Sequence, residues 1–86
     1  MAYSIEFTPA AQRQFKKLDR NTRRRIGRRI DALAENPRPD GVVKLTDVSP
    51  SLYRIREGDN RIVYAIEDSR LLVLVVRIAH RSDIYR

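Results

Sequence analysis

Apolar and polar positions alternate at the start of the chain, where Tyr3, Ile5 and Phe7 are separated by Ser4 and Glu6. A period of two is that of a strand with one buried face. Thr8 followed by Pro9 then reads as a helix N-cap with proline at the first helical position. Ala11, Phe15 and Leu18 recur at i, i+4 and i+7, which predicts a helix over residues 9–18. A second helix opens at Asp19 or Asn21 and ends near Glu35, with Thr22, Ile26, Ile30 and Leu33 as its inward stripe. The run Asn36-Pro37-Arg38-Pro39-Asp40-Gly41 stops it. Gly27 inside this helix costs roughly 1 kcal/mol relative to alanine; close packing against the first helix is the expected reason.

After the stop the period returns to two. Val42-Val43-Lys44-Leu45 is a short extended piece, and residues 52–56 and 61–66 are two strands joined by the hairpin loop Glu57-Gly58-Asp59-Asn60. Glu67-Asp68-Ser69-Arg70 is a further turn. Residues 71–78, almost unbroken in Leu, Val and Ile, read as a central strand covered on both faces. A polar tail over residues 79–86 follows. No repeat or low-complexity segment interrupts the pattern.

At 86 residues the chain supports one domain, residues 1–86. A domain of that size buries only about 60 to 65% of its unfolded surface, so the core is one layer of helix on one sheet, with no large cavity between domains. There is no cysteine and one histidine, His80, which excludes disulfides, thiolate zinc sites, iron–sulfur clusters and a cysteine nucleophile; no metal and no cofactor is expected. The opening residues lack a signal-peptide pattern and no apolar run approaches the roughly 20 residues of a membrane span, so a soluble, cytoplasmic protein is expected.

Charge sharpens the picture. Eighteen Lys or Arg stand against 11 Asp or Glu, for a net charge of +7, and the cations are overwhelmingly arginine, whose planar fork suits phosphate and carboxylate. Residues 1–40 hold the larger excess. There Arg20, Arg23, Arg24, Arg25, Arg28 and Arg29 crowd the second helix and repel one another by a few tenths of a kcal/mol per pair (~0.2 to 0.5). They read either as a solvated face or as a contact for nucleic acid or an acidic partner.

The hairpin holds the more specific pattern. A four-residue loop sets Arg56 opposite Arg61 and Arg54 opposite Val63, and the pleat then puts all three arginines on one face. Tyr53, Ile55, Ile62, Tyr64 and Ile66 point the other way, towards the helices. Like charges directly opposed in a sheet cost about 0.2 to 1 kcal/mol, so the cluster reads either as an anion site or as cations neutralised by Glu57, Asp59 or Asp47. Arg77 shares the parity of Leu71, Val73 and Val75 and reads as an ion-pair partner or as a ligand. The tail adds His80, Arg81 and Tyr85: a titratable ring, a fixed cation and a stacking phenol.

Taken together, Tyr3 to Phe7, Ala10 to Leu18, the Asn36-Pro37 stop, Leu52-Tyr53-Arg54-Ile55-Arg56, Asn60-Arg61-Ile62-Val63-Tyr64 and Leu74 to Arg81 followed by Ile84-Tyr85-Arg86 resemble toxins of the RelE/ParE superfamily, RelE branch, from bacterial type II toxin–antitoxin systems. The resemblance implies an α+β fold with two N-terminal helices on one face of a mostly antiparallel four-stranded sheet. It implies an endoribonuclease that cuts mRNA in the ribosomal A site and is neutralised by a cognate antitoxin. By position, Arg54 and Arg56 fall where two basic residues act near the attacking 2′-hydroxyl. Arg61 and Arg81 match cations on the scissile phosphate, and Tyr85 an aromatic that stacks on or orients a base. Arg54, Arg56, Arg61, His80, Arg81 and Lys44 are the expected RNA contacts.

Arginines suit stabilisation of a phosphorane-like transition state, because their charge-assisted bonds strengthen as negative charge develops. They do not suit proton transfer at neutral pH, since their pKa exceeds about 12. Arginine stands at 54 and 56 where the family pattern admits lysine, so proton transfer falls to His80 or Tyr85 ahead of Glu57 or Asp59. Two rivals stand beside the nuclease: a ParE-like inhibitor of DNA gyrase without nuclease chemistry, and a non-catalytic module that binds RNA or the ribosome.

Overall fold

The computed structural model of the chain describes residues 2–47 and 50–80. Strand β1 (Ser4–Phe7) leads into helices α1 (Pro9–Lys16) and α2 (Arg20–Leu33). Strands β2 (Val43–Lys44), β3 (Leu52–Glu57), β4 (Asn60–Glu67) and β5 (Leu72–His80) follow, with a 3₁₀ turn, Asp68–Arg70, between the last two. The sheet order is β1-β5-β4-β3-β2. Only β1 with β5 is parallel; the other three pairings are antiparallel. The sheet thus has five strands where four were expected. The extended piece after the Pro-Gly stop finds a ladder, Val43 opposite Arg54 and Lys44 opposite Tyr53.

Local chemistry accounts for the helix limits. The Thr8 hydroxyl accepts the Ala11 N–H at 3.1 Å while donating to the Val76 carbonyl at 3.0 Å, so one side chain caps α1 and ties it to β5. Asp19, and not Asn21, caps α2 by accepting the Thr22 N–H at 3.3 Å. Hydrogen bonding from the Thr22 side chain, and then from its N–H, holds the Asp19 carboxyl below the ordinary carboxylate pKa. Because Asp19 must be extended to cap, α1 stops at Lys16, short of Leu18.

Ala11, Ile26, Ile30 and Leu33 from the helices pack on Tyr53, Ile55, Ile62, Tyr64, Ile66, Val73, Val75 and Ile78 from the sheet, so the helices cover one face. Gly27 does lie against Phe15, as expected. A Cβ there would sit 3.6 Å from Phe15 Cζ, an ordinary contact that admits alanine. No helix among the described residues is long and apolar enough to cross a membrane.

Two irregularities position the site. The hairpin between β3 and β4 is tighter than expected, because Glu57 pairs with Asn60 and leaves Gly58-Asp59 as the loop. Gly58 takes φ 60°, as a type II′ turn requires of its first central residue. The register is nonetheless the expected one, Arg56 opposite Arg61 and Arg54 opposite Val63. In β5, Tyr64 pairs with Val75 but Val63 pairs with Arg77, so Val76 is an extra, bulged residue.

Beyond Phe7, where β1 ends, α1 satisfies the exposed edge of β5. Thr8 N–H bonds the Val75 carbonyl at 2.9 Å, and Ile78 N–H bonds Gln14 Oε1 at 2.8 Å. The bulged strand is therefore held on both sides.

Candidate functional site

The face of the sheet away from the helices gathers arginines in two cross-strand rows. One row runs Arg54, Val63, Arg77 and the next Arg56, Arg61, Ala79. Neighbouring strands lie about 4.8 Å apart and same-face residues about 6.8 Å apart along a strand, so the four Cα positions span a patch of roughly 10 by 7 Å. Arg56 and Arg77 are exposed and Arg54 is half-buried. Arg61 is only 7% exposed.

The ion pairs among the described residues are Arg38 with Asp68, Lys44 with Asp47 and Arg70 with Glu67, and none includes a face arginine. Asp47, one candidate to neutralise the cluster, lies 3.6 Å from the Lys44 ammonium instead. Glu57 has the parity of Tyr53 and Ile55, on the helix side. Arg54 Nε is buried with no hydrogen-bond partner, a donor that normally costs about 1 to 3 kcal/mol or more to leave unsatisfied.

Arg54, Arg56 and Arg61 are thus brought together. Arg77 joins them although its sequence parity belongs to the core strand: the bulge at Val76 inverts the alternation, so that Val73, Val75 and then Ile78 are buried while Arg77 turns outward. A cation inside an apolar strand was the only sequence signal for this. Two expected RNA contacts lie on the other parity. Lys44 is opposite Tyr53, and His80 is opposite Asn60, in line with Ile62 and Ile78. Arg81 and Tyr85 lie outside the described residues.

A different arrangement closes the far end of the sheet. Arg38 donates to both oxygens of Asp68, at 2.9 and 3.2 Å, and lies over the Tyr53 ring at 5.3 Å. The Tyr3 hydroxyl donates to Asp68 Oδ1 at 2.6 Å. The bonds from Arg38 and then Tyr3 hold the Asp68 carboxyl down at about 2, while the bond to Asp68 pushes both the Arg38 guanidinium and the Tyr3 phenol up. Tyr64 stacks on Tyr53 at 5.9 Å and donates to the Pro37 carbonyl at 2.7 Å; burial raises its phenol to about 12. A cavity of about 280 Å³ opens here beside Arg38, Tyr53 and Asp68, but its guanidinium is already occupied by the carboxylate.

The α2 arginines form a third group, on the opposite layer of the molecule. Arg23 donates to the Lys16 carbonyl at 3.4 Å and Arg25 reaches the Thr22 hydroxyl at 3.5 Å. No ion pair among the described residues includes any of this group.

Residues 5–85 match the family model described as ParE toxin of type II toxin-antitoxin system, parDE. Toxin RelG of Mycobacterium tuberculosis is 30% identical over 87 residues, covering 100% of this chain and 99% of that protein. The mRNA interferase toxin RelE of Escherichia coli is 29% identical over 89 residues, covering 99% of this chain and 92% of that protein. Among solved structures, the archaeal RelE-RelB complex from Pyrococcus horikoshii contains a chain that superimposes with a TM-score of 0.84 at 25% identity, covering 94% of this chain and 97% of that one.

Proposed function

The chain belongs to the RelE/ParE superfamily of toxins from type II toxin–antitoxin systems, and from that premise we propose that it is an endoribonuclease. It cuts mRNA in the ribosomal A site, inhibits translation and is neutralised by a cognate antitoxin. The observation that carries this reading is the face of Arg54, Arg56 and Arg61, which has no carboxylate partner among the described residues and keeps one buried donor unsatisfied.

Cleavage proceeds, in this reading, by attack of the 2′-hydroxyl on the adjacent phosphorus without a metal ion, releasing the 5′-oxygen. Arg61 and Arg81 bind the scissile phosphate and gain strength as the phosphorane accumulates charge. Arg54 and Arg56 lie beside the attacking hydroxyl, and Tyr85 orients a base. His80 and Glu57 share the helix-side parity, away from the arginines, and this reading assigns proton transfer to Tyr85. With only arginines in these two rows to serve as proton acceptors among the described residues, the enzyme depends in this reading on the ribosome to align its substrate; positioning alone can supply several kcal/mol of a barrier (up to about 7 to 11).

The matching family model carries the ParE name, and this favours one alternative, inhibition of DNA gyrase on the same fold. Mapping mRNA 5′ ends after brief induction separates the two. Codon-phased cuts in translated messages are expected; intact messages accompanied by DNA damage would establish the gyrase reading in their place.

A further inference from the structure

The arginine face holds more positive charge than one phosphodiester can use. A single linkage offers two non-bridging oxygens and one negative charge. Arg54, Arg56, Arg61 and Arg77 present four forks of donors across roughly 10 by 7 Å. In the reading above Arg61 serves the scissile phosphate, and Arg56 lies directly opposite it. Arg54 and Arg77 flank Val63 in the neighbouring row, and Val63 puts an uncharged side chain between them.

Arg77 reaches this row only through the bulge at Val76. The bulge leaves one residue of the ladder unpaired, and bulges commonly re-aim a side chain beside a functional site. Arg77 is exposed and in no ion pair among the described residues. The half-buried Arg54, on the far side of Val63 in the same row, holds an unsatisfied Nε. An anion arriving between the two would give Arg77 a counter-charge and offset the unsatisfied donor on Arg54.

We infer that Arg77 binds the phosphate flanking the scissile linkage on its 5′ side, next to the nucleotide whose 2′-hydroxyl Arg54 adjoins, so that the toxin grips two consecutive phosphates of one RNA strand. The inference rests on the ribonuclease reading above and adds a residue that positions substrate without touching the reacting atoms. It predicts an effect on binding more than on the chemical step.

The test uses the full chain carrying Arg77→Gln or Arg77→Lys, with circular dichroism confirming the fold. Binding of a short single-stranded 2′-O-methyl RNA, which cannot be cut, is measured across a salt series. Arg77→Gln is expected to reduce the slope of log K against log salt by about 0.7, the amount for one phosphate contact on a single strand, and Arg77→Lys to restore it. In ribosome-dependent cleavage, Arg77→Gln is expected to lower kcat/KM about tenfold, carried by KM. An unchanged salt slope overturns the inference, and so does a loss carried by kcat alone, which would put Arg77 at the scissile linkage itself. If the unmodified chain cuts nothing, the ribonuclease reading fails separately, while the salt slope still decides whether Arg77 holds a phosphate.

Discussion

The two ends of the sheet use the same side chain in opposite ways. At one end, Arg38 has a carboxylate across a bidentate pair and a tyrosine ring beneath it; the fold has already used that cation to pin the segment after α2 against the 3₁₀ turn. At the other end, Arg54, Arg56, Arg61 and Arg77 share one face with no carboxylate partner among the described residues. An arginine paired within the fold adds order, whereas opposed and unpaired arginines subtract stability. The cations that cost the fold something are the ones available to a polyanion arriving from outside.

The largest expected effect breaks or upholds that contrast directly. Arg61→Gln keeps most of the buried stem and removes the charge. Ribosome-dependent cleavage should fall by about 100- to 1000-fold, the loss typical of one transition-state donor. Stability in urea should stay level or rise by up to about 1 kcal/mol as the opposition to Arg56 is relieved. A loss of about 2 kcal/mol or more would mean that the fold itself depends on the Arg61 guanidinium.

An intermediate effect is expected at the paired end. Tyr64→Phe removes the buried bond to the Pro37 carbonyl and should cost about 1 to 2 kcal/mol in chemical denaturation. Cleavage should remain intact, because this end anchors the segment after α2 and the proposed RNA contacts lie on the arginine face. A parallel loss of cleavage in the folded variant would couple the two ends and dissolve the contrast.

The sequence made much of this legible, for identifiable reasons. The period-two runs, the Thr8-Pro9 start and the Asn36-Pro37 stop are local signals, and they led to the right elements. The hairpin register came from loop length, and it put Arg56 opposite Arg61 as observed. The bulge at Val76 escaped because both parities of β5 are apolar, so that inverting the alternation leaves no trace except Arg77 itself. The pairing of Arg38 with Asp68 spans 30 positions and depends on the sheet bringing the end of α2 to the end of β4. No local pattern announces such a contact. Lys44 and His80 carry no register signal of their own in the sequence, and their pairings with Tyr53 and Asn60 put them on the helix-side parity.

The smallest expected effect concerns pH and sharpens what pairing means at the Arg38 end. The Asp68 carboxyl sits at about 2 in the folded chain, against about 3.9 for an aspartate in the unfolded chain. Its folded pKa is depressed, so the stability it contributes is complete above about pH 4 and is lost as pH falls towards 2. Both partners are substantially exposed, with side chains at 44% and 55%, so water and salt screen most of the attraction. Asp68→Asn should therefore flatten the pH dependence of stability between about pH 4 and 2 and leave cleavage at neutral pH unchanged. Acid titration of the unfolding midpoint at low and high salt checks this, with the difference between the two chains shrinking in high salt. If both chains lose stability along the same acid curve, Arg38 is held by the Tyr53 ring and its packing, and the carboxylate is incidental to the ordered end of the sheet.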